Sequence, residues 1–382
     1  MLHSELWRYL SCGVVSCVLA VALTIFLRWL APRIGMEDRP DARKDHPRPT
    51  PLLGGVGVFL AAVSCYAFFG RLDGRSLWLV AGSLVVLALG VWDDRVGLRA
   101  RFRLAIQIAA AIAIAAAGFR LQWFAWAPLN WAATLLWLAG VMNAMNCMDS
   151  ADGIAAGIAC VAAAAFAAIA LAYGQSAVAL MAIAVAGSCL GFLIFNFPPA
   201  SIFLGDAGST SLGLLLGSMA ISASRGAPVP SQILLVGLPL LLPVWDIVLV
   251  HLRRWGNGTR GVRALLESAG RDHLPHRLRQ AGLRPRQVAV TVYLMTVVCA
   301  IPGVLMVYRH LSPLAFAVEI ALIGLVVGEL PFGAAVARLT RLSSRATSSS
   351  GRAPRPADMA TENARPSGGP VNDWPSAQRG SD

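Results

Sequence analysis

The chain has 382 residues, of which 57% are hydrophobic and only 14% charged, with a formal net charge of +12. A soluble domain of this length cannot cover its surface with so few charges, which excludes an ordinary soluble enzyme. The basic excess requires no nucleic acid, because cytoplasmic loops of membrane proteins collect Arg and Lys.

Eleven apolar spans are predicted, at roughly 8–30, 53–69, 76–92, 102–118, 131–146, 154–173, 177–195, 209–223, 232–250, 288–308 and 312–336. The expected architecture is an all-α polytopic membrane helical bundle, covering residues 1–340. The first span is too long for a signal-peptide core and reads as a retained anchor. Residues 341–382 are rich in Ser, Pro, Gly and Arg and are expected to form a disordered cytoplasmic tail. The seven cysteines contain no CxxC pair and fall mostly within apolar segments, so they read as small core residues.

The connection after the first span runs Asp41-Ala42-Arg43-Lys44-Asp45-His46-Pro47-Arg48-Pro49-Thr50-Pro51 and is followed by Gly54-Gly55. Its prolines stiffen the loop. Lys44 is the chain's only lysine, a compact point charge in a protein that otherwise uses Arg. Asp93-Asp94 closes the third span. Paired carboxylates at a helix end suit a Mg²⁺ ion with bound phosphate; a solvated end paired with Arg95 or Arg99 explains them equally well.

Between the fifth and sixth spans lies Asn143-Ala144-Met145-Asn146-Cys147-Met148-Asp149-Ser150-Ala151-Asp152-Gly153. One helical turn would place Asp149 and Asp152 on one face, while Asp152 alone would serve as a cap for the sixth span. Phe203-Leu204-Gly205-Asp206-Ala207-Gly208-Ser209 precedes the eighth span. There an Asp in a Gly-flanked turn can reach a metal, and the N–H groups of the next helix can hold phosphate; a plain cap is again the alternative. Asp246 lies inside the cytoplasmic end of the ninth span, and intramembrane carboxylates are functional candidates by default. In the long loop after it, His273 and His276 stand three apart beside Arg277. No further Cys or His completes a zinc site there, so imidazole and guanidinium contacts to an anionic substrate are expected.

Orientation follows from the loops. Connections after odd-numbered spans carry most of the arginines, including Arg95 to Arg103 and Arg253 to Arg286, and are therefore cytoplasmic. The N-terminus is then outside and the tail inside. Nearly every aspartate falls on the same cytoplasmic side, from five separated stretches.

Taken together, the residues from Asp41 to Leu278 resemble the polyprenyl-phosphate N-acetylhexosamine-1-phosphate transferase family (glycosyltransferase family 4). The resemblance is carried by Arg43-Lys44, His46, Pro49-Thr50-Pro51 and Gly54-Gly55, by Asp93-Asp94, by Asn143 to Gly153, and by Gly205 to Ser209. It implies a Mg-dependent enzyme of the bacterial inner (plasma) membrane. The implied reaction transfers a sugar-1-phosphate, favoured as GlcNAc-1-phosphate, from a UDP-sugar to undecaprenyl phosphate. UMP is released, and a cell-envelope glycan such as lipopolysaccharide or cell wall polymer is started. By the same resemblance Asp206 and Asp94 hold Mg²⁺ (or Mn²⁺), Asp93 takes the lipid phosphate's proton or attacks phosphorus, and Asn146 and Asp149 line the diphosphate. Asp152 and Phe203 hold the uracil, Lys44 and His46 contact phosphate, and His273, His276 and Arg277 face the sugar. Expected partners are the two substrates and the bilayer, with a homodimer allowed and nucleic acid not expected.

Two positions depart from the family pattern. Ser150 replaces a usual Gly, and Pro275 a usual His, which leaves the donor sugar open. The alternatives are a muramyl-pentapeptide phosphotransferase, a membrane prenyltransferase, which needs two Asp-rich helices, and a transporter, which favours midplane charges and an internal repeat.

Overall fold

The computed structural model describes residues 2–39, 49–256 and 272–309. Helix α1 (Leu2–Arg33) is followed by a two-residue antiparallel ribbon, β1 (Glu37–Asp38) with β2 (Thr50–Pro51). Helices α2 (Gly54–Phe69), α3 (Gly74–Val96), α4 (Ala100–Ala116), α5 (Ala127–Met148), α6 (Ile154–Ala172), α7 (Ser176–Asn196) and α8 (Gly205–Ala223) come next. Then follow α9 (Val229–Gly237), a 3₁₀ turn (Leu238–Leu240), α10 (Leu241–Gly256), the short α11 (Leu274–Gln280) and α12 (Pro285–Arg309).

Ten of the predicted spans fall on these helices; the eleventh, the boundary near residue 340 and the tail lie outside the described residues. The ninth span is interrupted. Its 3₁₀ turn contains Pro239, which supplies no N–H to an α-helical ladder. Among the described residues, six helical stretches are long and apolar enough to cross a membrane: Ser4–Arg33, Gly74–Val96, Ile154–Ala172, Ser176–Asn196, Val229–Gly256 and Pro285–Arg309. The protein surface is apolar where a soluble protein's is not. Trp7, Val14, Val18 and Trp29 of α1, Leu136 of α5 and Ile194 of α7 are all exposed, as side chains solvated by lipid tails would be.

Helix α8 is the axle of the fold. It packs against α2, α3, α5 and α6, and every one of its residues except Asp206 is buried. Being surrounded by protein, it need not be oily. Hydroxyls of its first turns bond back to its own carbonyls instead, Ser209 to Gly205 at 3.1 Å and Ser211 to Ala207 at 2.7 Å. Its neighbours approach to backbone contact. A β-carbon on Gly90 of α3 would lie 2.2 Å from the Ala207 Cα, and one on Gly55 of α2 would lie 2.1 Å from the Gly208 Cα. Small residues at helix crossings substitute for the hydrophobic drive that lipid cannot supply. These two crossings bring the ends of α2 and α3 to the first turn of α8.

Candidate active site

Gly205 enters α8 with φ +77°, a conformation that favours glycine. The first turn that follows exposes N–H groups with no intrahelical acceptor. Asp94 supplies one from another helix: Oδ1 accepts from the Asp206 N–H at 2.9 Å and Oδ2 from the Ala207 N–H at 3.3 Å. A carboxylate at the positive end of a helix is also electrostatically favoured. The adjacent Asp93 is buried. Its Oδ1 accepts from the Leu98 N–H at 2.6 Å, and its Oδ2 from Arg103 Nη1 at 2.6 Å. The same nitrogen donates to Asp206 Oδ2 at 2.7 Å. Arg103 of α4 thus bridges two carboxylates from α3 and α8. Neither Arg95 nor Arg99 takes that place.

Asp149 ends α5 and faces this group. Burial, and then the negative charges of Asp206, Asp94 and Asp152, push its carboxyl well above the usual carboxylate range. Asn146 accepts from the Ser209 hydroxyl at 3.3 Å, tying α5 to α8. Asp152 does not cap α6, whose N-cap is Gly153. Its Oδ2 accepts instead from the Ala200 N–H at 2.9 Å, holding the 197–204 segment. Asn196 supports the same segment, accepting from the Gly153 N–H and donating to the Ile202 carbonyl. Tyr293 of α12 donates to the Gly153 carbonyl at 2.8 Å.

The first loop reaches the site through its far end. The Phe203 N–H donates to Pro51, the Gly54 N–H to Phe203 and the Gly55 N–H to Leu204. The Phe203 ring stays partly exposed. Lys44 and His46 lie outside the described residues.

A second cluster closes the same end of the molecule. Asp246 is buried in α10; it accepts from the Leu274 N–H at 2.9 Å and stands 2.7 Å from His273 Nδ1. Burial alone would lower the His273 pKa, but Asp246 and the neighbouring Cys147 raise it to about 10. Asp272 is held below its ordinary range: burial raises it, and a bidentate contact from Arg254, at 2.6 and 2.8 Å, outweighs that. His276 and Arg277 are partly exposed on α11. Pro275 occupies the first turn of α11, where its missing N–H costs nothing.

The structure therefore brings Asp93, Asp94, Asn146, Asp149, Asp152 and Asp206 to one end of the bundle, with His273 beside Cys147 at the end of α5. Sequence reasoning did not single out Arg103, Asn196 or Tyr293. Arg103 is one of four arginines between Arg95 and Arg103, and nothing in the spacing distinguishes it.

Among the described residues, no three His, Cys, Asp or Glu side chains form a ready metal cage. The donor set nevertheless fits a divalent cation. Arg103 meets Asp93 and Asp206, and the charges of Asp206 and Asp94 act on the buried Asp149, so four carboxyl groups stand close together at the start of α8. Mg²⁺ is commonly held by one or two carboxylates, with phosphate and water completing its shell.

Fold and site define a multi-pass helical membrane protein with a carboxylate cluster built on helix ends, a class suited to phosphoryl chemistry. A family model described as glycosyl transferase family 4 matches residues 76–224. The chain is 30% identical to the decaprenyl-phosphate N-acetylglucosaminephosphotransferase of Mycolicibacterium smegmatis over a 362-residue alignment, covering 82% of this chain and 86% of the relative. It is 29% identical to the probable undecaprenyl-phosphate N-acetylglucosaminyl 1-phosphate transferase of Bacillus subtilis, covering 80% and 87%. The undecaprenyl-phosphate alpha-N-acetylglucosaminyl 1-phosphate transferase of Escherichia coli K12 is 29% identical, covering 79% and 85%. The chain belongs to glycosyltransferase family 4, among the polyprenyl-phosphate N-acetylhexosamine-1-phosphate transferases.

Proposed function

We propose that the protein transfers GlcNAc-1-phosphate, or a related HexNAc-1-phosphate, from a UDP-sugar to undecaprenyl or a similar polyprenyl phosphate. The observation that carries this reading is the joining of Asp93, Arg103 and Asp206 at the first turn of α8, which Asp94 caps from outside. The names of the relatives supply the acceptor and the sugar.

In the proposed reaction an oxygen of the lipid phosphate attacks the β-phosphorus of the UDP-sugar. A new P–O bond forms, the bond from that phosphorus to the bridging oxygen breaks, and UMP leaves. Asp93 accepts the proton of the lipid phosphate at its carboxylate; in a two-step scheme that carboxylate attacks first. Asp206 and Asp149, with Asp94 behind them, are the residues that would hold Mg²⁺. When bound, the ion offsets the charge of the diphosphate and of the transition state. Arg103 holds Asp93 and Asp206 at a common position. Asn146 lines the diphosphate, while Asp152 and Phe203 border the nucleoside. His273 and Arg277 stand on the side assigned to the sugar.

The proposal includes eleven spans and a cytoplasmic site; the latter rests on Arg103, Arg254 and Arg286, described arginines of the Arg-rich connections that lie at the end where the carboxylates gather. Carboxylates arriving from α3, α5 and α8 fit this reading better than the two Asp-rich helices of a prenyltransferase. The test is UMP release by purified protein with Mg²⁺ and undecaprenyl phosphate, offered UDP-GlcNAc, UDP-GalNAc and UDP-MurNAc-pentapeptide in parallel. Metal- and lipid-dependent release with UDP-GlcNAc is expected. Release only with the pentapeptide donor would overturn the assigned sugar, and no release from folded protein would overturn the reaction.

A further inference from the structure

The end of the bundle opposite the carboxylates holds a cavity of about 540 Å³, lined by Arg75, Arg120, Arg225, Gln122, Ser224 and Gln232 among others. A volume of this size is ordinary for a small-molecule or headgroup site. None of the residues that line it is acidic. Asp73, the carboxylate nearest in sequence, is engaged in capping α3 through the Ser76 N–H at 2.7 Å.

Three guanidinium groups around one void need an explanation. Part of it is helix capping. Arg75 of α3 donates to the Gly118 carbonyl at 2.6 Å, and Arg225 donates to the same carbonyl. These bonds satisfy an orphan acceptor just past the end of α4. They do not neutralise two cations sharing one neutral acceptor. Arg75 Nε is buried without a hydrogen-bond partner among the described residues, and the guanidinium lies over the Phe119 ring, 4.8 Å from its centroid. Arg120 lies over the Trp131 ring, 5.2 Å from its centroid, and lines the same cavity. Burial and then the charge of Arg75 push the Arg225 guanidinium down to about 10, while burial lowers Arg75 and the charge of Asp73 offsets that only in part. The connection between α4 and α5 adds Phe119, Trp123, Phe124 and Trp126. Aromatic density of this kind marks the level of lipid headgroups.

We propose that this cavity is an anion site for a phosphate group, held by Arg75, Arg120 and Arg225 on the face of the protein remote from its carboxylate cluster. Guanidinium groups match phosphate oxygens in geometry as well as charge. The phosphate is either that of an anionic phospholipid headgroup or a free one. The site is independent of the proposed transferase chemistry.

The test uses the full-length protein in phosphatidylcholine nanodiscs, without Mg²⁺. Hydrogen–deuterium exchange of peptides covering residues 117–126 and 222–232 is followed while phosphatidylglycerol replaces phosphatidylcholine, and separately while inorganic phosphate is added. Protection of these peptides is expected, with half-saturation about tenfold weaker in Arg120→Gln/Arg225→Gln. Arg71→Gln, which removes a charge from the same end but not from the cavity, should behave as wild type. Protection by phosphatidylglycerol alone assigns the headgroup; protection by inorganic phosphate as well shows that the bare anion suffices. Either result supports the site. No protection by either, or equal protection in the cavity variant and wild type, overturns it. Arg120→Gln alone makes the same test if the double variant does not fold, because Arg120 supports Trp131 and not the Gly118 carbonyl.

Discussion

Asp94 accepts the backbone N–H of Asp206 at 2.9 Å, across 112 residues of sequence. The two aspartates are thus not equivalent members of a cluster. Asp94 spends its carboxylate on the start of α8, whereas Asp206 turns its carboxylate toward Arg103 and Asp93. Substituting Asp94 should therefore affect folding as well as rate. Asp94→Ala leaves two helix-end N–H groups without an acceptor and should cost about 1–2 kcal/mol. Asp94→Asn keeps one acceptor and should lose less stability. Thermal unfolding in detergent measures both, and equal melting of Asp94→Ala and wild type would remove the capping role.

Asp93→Asn and Asp206→Asn should behave differently. Each leaves the packing of α3 on α8 in place, so each should abolish UMP release while the protein stays folded and monodisperse in detergent. Full activity in either variant would cancel the role assigned to that residue.

Among the described residues, Arg103 is the only guanidinium that bridges Asp93 and Asp206. Arg103→Gln should lower turnover by about 10²-fold, the usual scale for losing a donor aimed at reacting groups. It also exposes the carboxylates to one another's repulsion. Melting of this variant should then depend on Mg²⁺ more steeply than melting of the wild type, a readout that needs no substrate. An identical response to EDTA in both proteins would count against a cation bound at these carboxylates.

Gly90→Ala places a methyl carbon 2.2 Å from the Ala207 Cα. Helix α3 must then move away from α8, taking Asp93 and Asp94 with it. The expected cost is about 1–3 kcal/mol together with a loss of activity. Gly140→Ala is the control, since nothing lies within 4 Å of its added carbon; it should be neutral or slightly stabilising. If both glycines tolerate Ala alike, close approach at Gly90 does not position the site.

The His273–Asp246 contact gives a pH dependence. His273 has its folded pKa raised to about 10 from an ordinary 6.5. The protonated form is thus favoured by folding, and its contribution is complete below about pH 6.5 and disappears as pH rises through about 10. The melting difference between wild type and His273→Asn should be largest near pH 6 and should shrink toward pH 10. A difference that grows with pH would reverse the assignment of a charged imidazole.

The sequence by itself determined that the protein is helical and membrane-spanning, and which chemistry-bearing residues stand at helix ends. The reason is physical: lipid excludes charge, so Asp93-Asp94, Asp149 and Asp206 can stand only where spans meet water, and span parity assigns them to a common side. Parity cannot say which helix end touches which. That was decided by tertiary packing, through backbone-close crossings such as Gly90 on Ala207 and Gly55 on Gly208, whose partners are more than a hundred residues apart. Those crossings select Arg103 from four nearby arginines, send Asp94 to the start of α8 and Asp152 to Ala200, and pair Asp246 with His273. They also draw Arg75, Arg120 and Arg225 around one cavity at the other end, a convergence invisible in sequence because each arginine alone is an ordinary loop or helix-end charge.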